Sequence, residues 1–263
     1  MDPQTRLALN AINREFYAAE ESAAGFSATR DHPWPGWERV WREVRRNAPT
    51  DRALSVLDAG CGNGRFAAFL AERSPETIHY VGIDASQPLL KIAAQRAQPL
   101  ARARFICSDL TDDPPGATTA KASFDSVVLF GVLHHIPGFE ARAALLAALA
   151  ELVTAGGLLA FTLWRFGAPS LWPRFQSRVL PWRDYNRRAA TPLDLAQLEA
   201  GDHLLRWGDN PDSNDAPLRY CHYVDDAERD ALLATLPLEN VEHYVQDGRS
   251  NDLNQYVVLR SSP

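Results

Sequence analysis

At 263 residues, 46% hydrophobic and 23% charged, the chain is long enough for one large domain with a buried core, and its composition excludes wholesale disorder or a fibrous architecture. A formal charge of −6 excludes a protein that grips nucleic acid with its whole surface, so DNA is not expected as a partner and RNA only through a local basic patch. No apolar run approaches the roughly 20 residues of a membrane-spanning helix, Met1–Asn10 lacks a secretory layout, and Cys61, Cys107 and Cys221 have no metal-ligand spacing, so the expectation is a reduced cytoplasmic protein without membrane contact or metal.

In chain order, a helix is predicted around Asn10–Glu21, a turn-rich stretch over Phe26–Gly36, where Pro33 and Pro35 bar a helix, and a second helix from Trp37 to about Arg46. From Leu54, short β-rich runs alternate with amphipathic stretches, the pattern of βαβ units around a parallel sheet. Strands are predicted at Ser55–Asp58, Tyr80–Asp84, Ala103–Cys107, Ser126–Phe130 and Leu158–Leu163. Helices fall at about Arg65–Glu72, Pro88–Arg96 and Arg142–Thr154, the last stopped by Gly156-Gly157. Arg165–Tyr220 reads as an insertion with no clean period, followed by a helix at Ala227–Leu236 and two β-like runs, Asn240–Gln246 and Asn254–Arg260, that could pair antiparallel about Asp247-Gly248. The fold class is therefore α/β: a doubly wound, mostly parallel sheet with an N-terminal helical segment and an insertion before the last two strands.

The segment Val56-Leu57-Asp58-Ala59-Gly60-Cys61-Gly62-Asn63-Gly64-Arg65-Phe66 carries the chemistry: an apolar strand runs through an acid into a G-x-G-x-G loop and a helix. Lacking Cβ atoms, such a loop turns tightly and lets backbone approach a ligand, and the following helix offers free N–H groups. A nicotinamide loop has the spacing G-x-G-x-x-G, whereas Arg65 stands where its third glycine would fall. Asp84 and Asp109 each end a predicted strand, at the edge where open α/β sheets bind ligands; Asp84 can accept from both ribose hydroxyls and Asp109 from an adenine amino group. Aspartates after strands also serve as turn and helix-cap residues.

Over residues 50–165 this set resembles the class I methyltransferases, with Asp58-x-Gly60-x-Gly62-x-Gly64 as first motif, Asp84 as ribose acid, Ser108-Asp109-Leu110 on the adenine side, and Phe124–Phe130 with Leu133-His134-His135-Ile136 as fourth strand and sequel. The resemblance implies a Rossmann-like methyltransferase fold and S-adenosyl-L-methionine, held by Asp58, Gly60, Cys61, Gly62, Asn63, Gly64, Asp84, Ala85, Asp109, Leu110 and Phe130. It also implies one domain over 1–263, with a helical cap (1–50), a cofactor-binding core (51–164), a substrate-side insertion (165–225) and a closing helix and strands (226–263).

A narrower resemblance links Phe26-Ser27-Ala28-Thr29-Arg30, Pro33-Trp34-Pro35, Gly201–Trp207 and Arg219-Tyr220-Cys221-His222-Tyr223 to the tRNA wobble-uridine carboxymethyl methyltransferases, although Cys221 stands where a second tyrosine is usual. That family esterifies the carboxylate of 5-carboxymethyluridine, and its eukaryotic members work with a small zinc-binding activator protein. A carboxylate is already nucleophilic, so it needs placement more than a base, and arginine holds it bidentately. Arg30 and Arg219 are the expected clamp; His222 or His135 could orient the base, or act as a general base toward a hydroxyl. Trp34, His135, Trp164, Arg165, Trp207 and Tyr220 are expected around the acceptor. Between Trp164 and Ala190 six arginines face one aspartate amid Trp164, Trp172, Phe175, Trp182 and Tyr185, a mix that suits RNA bases and phosphates and equally a solvated basic face. A small-molecule acceptor, under an insertion acting as a lid, and a non-catalytic cofactor-binding scaffold are the competing functions.

Overall fold

The computed structural model describes residues 1–18, 25, 27, 32–74, 77–119, 123–208 and 216–263. Helix α1 (Pro3–Ala18) begins seven residues before the expected Asn10. Asp2 caps it, Oδ1 accepting from the N–H groups of Gln4 and Thr5 at 2.9 and 3.0 Å, and proline fits the first turn. Its buried face includes Thr5, Asn10 and Asn13, which breaks the apolar periodicity a sequence reading relies on. The expected end at Glu21 lies outside the described residues. Helix α2 (Trp37–Arg46) falls where predicted.

The alternating elements follow: β1 (Leu54–Ala59), α3 (Arg65–Ala71), β2 (Ile78–Asp84), α4 (Gln87–Arg96), β3 (Arg102–Cys107), β4 (Phe124–Leu129), α5 (Phe139–Ala150) and β5 (Val153–Trp164). The predicted helix Arg142–Thr154 is displaced. Leu152 already closes a turn onto Leu149 and its carbonyl accepts from Phe124 N at 2.7 Å, so the strand starts at Val153 and Gly156-Gly157 form a bulge inside it. The insertion has its own order, antiparallel strands β6 (Val179–Leu180), β7 (Asp202–Arg206) and β8 (Leu218–His222). Helix α6 (Asp226–Ala234) and strands β9 (Glu239–Gln246) and β10 (Asn254–Arg260) close the chain, the last two paired antiparallel as expected.

The seven-stranded sheet runs β3-β2-β1-β4-β5-β10-β9, parallel from β3 to β5 and antiparallel beyond. Side chains alternate across it. Leu54 and Val56 pack with Trp37, Val40 and Phe69 on one face, while Leu57 and Ala59 pack with Leu145, Leu146 and Leu232 on the other. The β9–β10 corner also sets the entry to α2: Asp247 accepts from Gly36 N (2.9 Å), Asn254 Nδ2 (2.9 Å) and Tyr256 Oη (2.6 Å), which fixes the Pro33–Gly36 turn against the sheet. Among the described residues no helix is long and apolar enough to cross a membrane.

A buried ionic hub ties the insertion to the core. Arg142 on α5, with 0% exposure, donates to Glu228 (2.8 Å), Glu199 (2.5 Å) and the Ile136 carbonyl (2.9 Å). His222 lies between Asp202 and Glu228, each 2.7 Å from one ring nitrogen. Burial alone would lower the imidazole pKa, but the hydrogen bonds to Asp202 and Glu228 outweigh it and raise it. A ring that holds its proton more tightly when folded stabilises fully below about pH 6.5 and loses that contribution as pH rises through the higher folded value. His222→Gln is therefore expected to destabilise the protein by about 3 kcal/mol or more at pH 6, and by clearly less at pH 9, in urea denaturation; an equal loss at both values would contradict the charged hub.

Candidate active site

The C-terminal ends of β1, β2, β3 and β4 open into a cavity of about 590 Å³, closed on one side by α1. That size lies within the roughly 300–1,000 Å³ of small-molecule sites, at the sheet edge where such folds take ligands. Gly60 and Cys61 both donate to the Ile83 carbonyl (2.7 and 2.9 Å), strapping the loop after β1 to the end of β2. Gly60, Gly62 and Gly64 have φ of 75°, 54° and 75°. At Gly60 a Cβ would lie 2.2 Å from Val132 Cγ2, at Gly64 2.6 Å from the Ala93 Cα, and at Gly62 in open space. The first and third glycines thus permit packing, while the second lets backbone meet a ligand.

Asp84 accepts from Gly62 N and Ser86 N, each at 2.8 Å. Burial raises its pKa, opposed by those two hydrogen bonds. Burial likewise pushes Asp58 up to about 7, although Tyr80 Oη donates to it at 2.6 Å. The Cys61 thiol is raised well above its ordinary range by burial first and the nearby Asp84 and Asp58 second, which removes the thiolate that a cysteine nucleophile needs. Asp109 carries hydrogen bonds on both oxygens, from Thr111 N and Oγ1 (2.9 and 2.7 Å) and from Arg14 Nε (2.6 Å). Burial alone would raise its pKa; the Thr111 and Arg14 hydrogen bonds outweigh it and lower it.

Asp58, Gly60, Cys61, Gly62, Asn63, Asp84, Ala85, Asp109, Leu110 and Phe130 line the cavity, as do Trp34 and His135; Gly64 sits behind the loop against α4. The other acceptor-side residues are elsewhere. Trp164 and Trp207 wall the Arg219 guanidinium at 5.8 and 4.2 Å, with Phe16 at 5.3 Å. Arg165 donates to the Asp252 carbonyl at 2.7 Å. Two expectations need correction. Tyr220 is 0% exposed with its hydroxyl on Asp202 (2.6 Å), and His222 faces carboxylates through both nitrogens, so both hold the insertion rather than meet a ligand. Arg30 lies outside the described residues.

Sequence reading missed Asn10, Asn13, Arg14, Tyr17 and Arg65, all on the cavity wall. The signal for the first four was their i, i+3, i+4, i+7 spacing, a polar stripe where a buried helix face is normally apolar. Arg65 lies 5.0 Å from the Trp34 ring, and burial brings its pKa down to about 10. Among the described residues two clusters have metal-ligand composition, His134–His135–Cys221 and Glu199–Asp202–His222, but His135 Nδ1 lies 2.9 Å from the Tyr220 carbonyl and the second cluster is part of the hub.

The loop geometry separates the glycines experimentally. Gly64→Ala is expected to lower unfolding free energy by about 3 kcal/mol or more, adding a backbone clash to left-handed strain, and Gly62→Ala by only about 1–2 kcal/mol. Equal losses in chemical denaturation would contradict the assigned roles.

Residues 57–159 match the family model described as a methyltransferase domain. The human protein named Probable tRNA methyltransferase 9B is 24% identical over 182 residues, 69% of this chain and 35% of that protein. The tRNA (carboxymethyluridine(34)-5-O)-methyltransferase of Arabidopsis thaliana is 27% identical over 142 residues, 54% of this chain and 30% of its own length. This chain thus spans about a third of those relatives. The trans-aconitate 2-methyltransferase of an Azoarcus species is 32% identical over 161 residues, 60% of this chain and 58% of that protein. Among solved structures, a SAM-dependent methyltransferase of Methanosarcina mazei superposes with a TM-score of 0.59 at 16% identity, covering 88% of this chain and 99% of the other. Residues 57–159 thus match a methyltransferase domain, and the chain shares its fold with a solved S-adenosylmethionine-dependent methyltransferase.

Proposed function

We propose that this chain transfers the methyl group of S-adenosylmethionine to a carboxylate, that of a carboxymethyl-modified wobble uridine in tRNA. The supporting observation is Arg219. It is 4% exposed, its Nε has no hydrogen-bond partner among the described residues, and aromatic rings surround it. Burying a guanidinium is costly unless an anion joins it, and cation–π contact returns only about 2 kcal/mol. A planar donor fork in a dry box suits a carboxylate held by two parallel hydrogen bonds.

S-adenosylmethionine supplies an electrophilic methyl group: the carboxylate oxygen forms the new O–C bond as the S–C bond breaks, its electron pair going to sulfur, and no proton needs removal. The chain's own task is alignment. The Gly60–Gly64 loop and Asp84 would hold the nucleoside and methionyl portions, and Arg219, with Arg30, the acceptor. The Arabidopsis relative's name supports the wobble-uridine acceptor. The exposed Arg174, Arg183, Arg187 and Arg188 of the insertion supply a basic face for RNA. A small carboxylic acid is the second reading, supported by the Azoarcus relative's name and by the same arginine.

Asp84→Ala is expected to weaken S-adenosylhomocysteine binding by about 1.5–3 kcal/mol in calorimetry. Arg219→Ala should leave that affinity nearly intact while cutting methyl transfer roughly 10²-fold, with lysine rescuing only in part. Proportional loss of affinity and activity would move Arg219 into the cofactor site. Mass spectrometry of tRNA nucleosides from cells lacking the protein decides the acceptor: accumulated free acid supports RNA, and an unchanged methyl ester contradicts it.

A further inference from the structure

The exposed face of α2 carries charge that the fold does not use. Glu38, Trp41, Arg42 and Arg45 recur at i, i+3, i+4 and i+7, and with Arg46 they line an open cleft of about 440 Å³ that shares no residue with the active-site cavity. All three arginines are exposed, and the acids beside them are already engaged. Glu38 pairs with Arg73, while Glu43 is buried and shared by Arg46 and Arg260. Arg45 lies with its guanidinium 5.9 Å from the Trp41 ring centroid. Among the described residues Arg42 meets no acid within ion-pair distance.

Arg42 stands three residues from Arg45 and four from Arg46, the two spacings at which like charges on a helix repel. The helix dipole favours cations in the last turn, which holds Arg45 and Arg46 but not Arg42. The repulsion therefore has no compensation inside the fold, and an external anion would supply it. The cleft's place selects that anion. Helix α2 begins at Trp37 on the cavity wall, so at about 1.5 Å per residue the arginines stand roughly 8–14 Å along the helix from it. A small acid held in the cavity cannot span that distance. A polynucleotide with one nucleotide in the cavity carries neighbouring phosphates over it, and guanidinium groups one helical turn apart suit a strand that offers charge at short regular intervals.

We propose that the Arg42–Arg45–Arg46 cleft binds the phosphodiester backbone of the RNA whose modified nucleotide enters the cavity. The inference rests on the RNA reading of the acceptor and extends it to a contact outside the site of methyl transfer.

Fluorescence anisotropy with tRNA bearing carboxymethyluridine, titrated at several salt concentrations, tests it on the full chain. The double variant Arg42→Glu, Arg45→Glu should weaken tRNA binding about 10- to 100-fold at about 50 mM salt and flatten the logarithmic salt dependence by about 2, roughly one unit for each lost phosphate contact, with S-adenosylhomocysteine affinity within about twofold. Arg42→Lys should keep most of the tRNA affinity, since an ammonium also pairs with phosphate. Arg102→Glu, Arg104→Glu makes the same charge change on exposed residues of β3, the sheet edge opposite β9, where Arg39 of α2 pairs with Glu242, and should cost roughly threefold at most. Unchanged affinity and slope in the α2 variant, or an equal loss in the β3 variant, overturns the proposal. Failure of the unaltered protein to bind tRNA would instead overturn the RNA reading itself, and this inference with it.

Discussion

Asp84 binds two backbone N–H groups from different segments, Gly62 in the loop after β1 and Ser86 at the start of α4, and the cavity depends on that bridge. The loop adopts three left-handed glycines in five residues, a conformation with little stability of its own. The Asp84 bridge, with the two hydrogen bonds into the Ile83 carbonyl, holds it open toward the ligand side. Gly82 completes the arrangement, since a Cβ there would lie 2.8 Å from Cys61 Sγ and 2.9 Å from Phe105. That side of the cavity is thus preformed, and little of a ligand's binding energy would be spent ordering it.

Helix α1 extends the same economy to the other side. Arg14 fastens it to the turn after β3, Asn13 to β8, and Tyr17 to the start of α4 and to His135. One helix therefore spans from Asp109 and the turn after β3 to the insertion sheet. The hub of Arg142, Glu199, Glu228, His222 and Asp202 anchors that sheet from behind. Removing one charge from such a network leaves its partners buried and uncompensated, which makes the position of Arg219 sensitive to residues that touch no ligand.

The parallel core was legible because its signals are local: short β-rich runs ending in Asp58 and Asp84, and glycines at fixed offsets between strand and helix. The cavity's roof was not. Asn10 and Asn13 look like a solvated helix face until the fold turns them inward, and no composition rule marks a polar stripe as buried. The insertion sheet escaped because β6 is two residues long and β8 buries Arg219, Tyr220, Cys221 and His222 in succession, erasing the alternation that reveals a strand. Sequence marked Tyr220, Arg219 and His222 alike as chemically rich. Only tertiary partners distinguish them: Tyr220 and His222 are satisfied by carboxylates, whereas Arg219 faces aromatic rings.

Methyl transfer to a carboxylate has a signature that no oxygen, nitrogen or carbon acceptor of another kind shares, because an ester releases methanol in mild alkali. Incubating the purified chain with methyl-labelled S-adenosylmethionine and tRNA bearing carboxymethyluridine, then treating the recovered RNA with dilute base, reads this directly. The predicted result is label that enters the RNA and leaves it as volatile methanol on alkaline treatment. Label that remains bound to nucleoside after alkali would contradict esterification of a carboxylate.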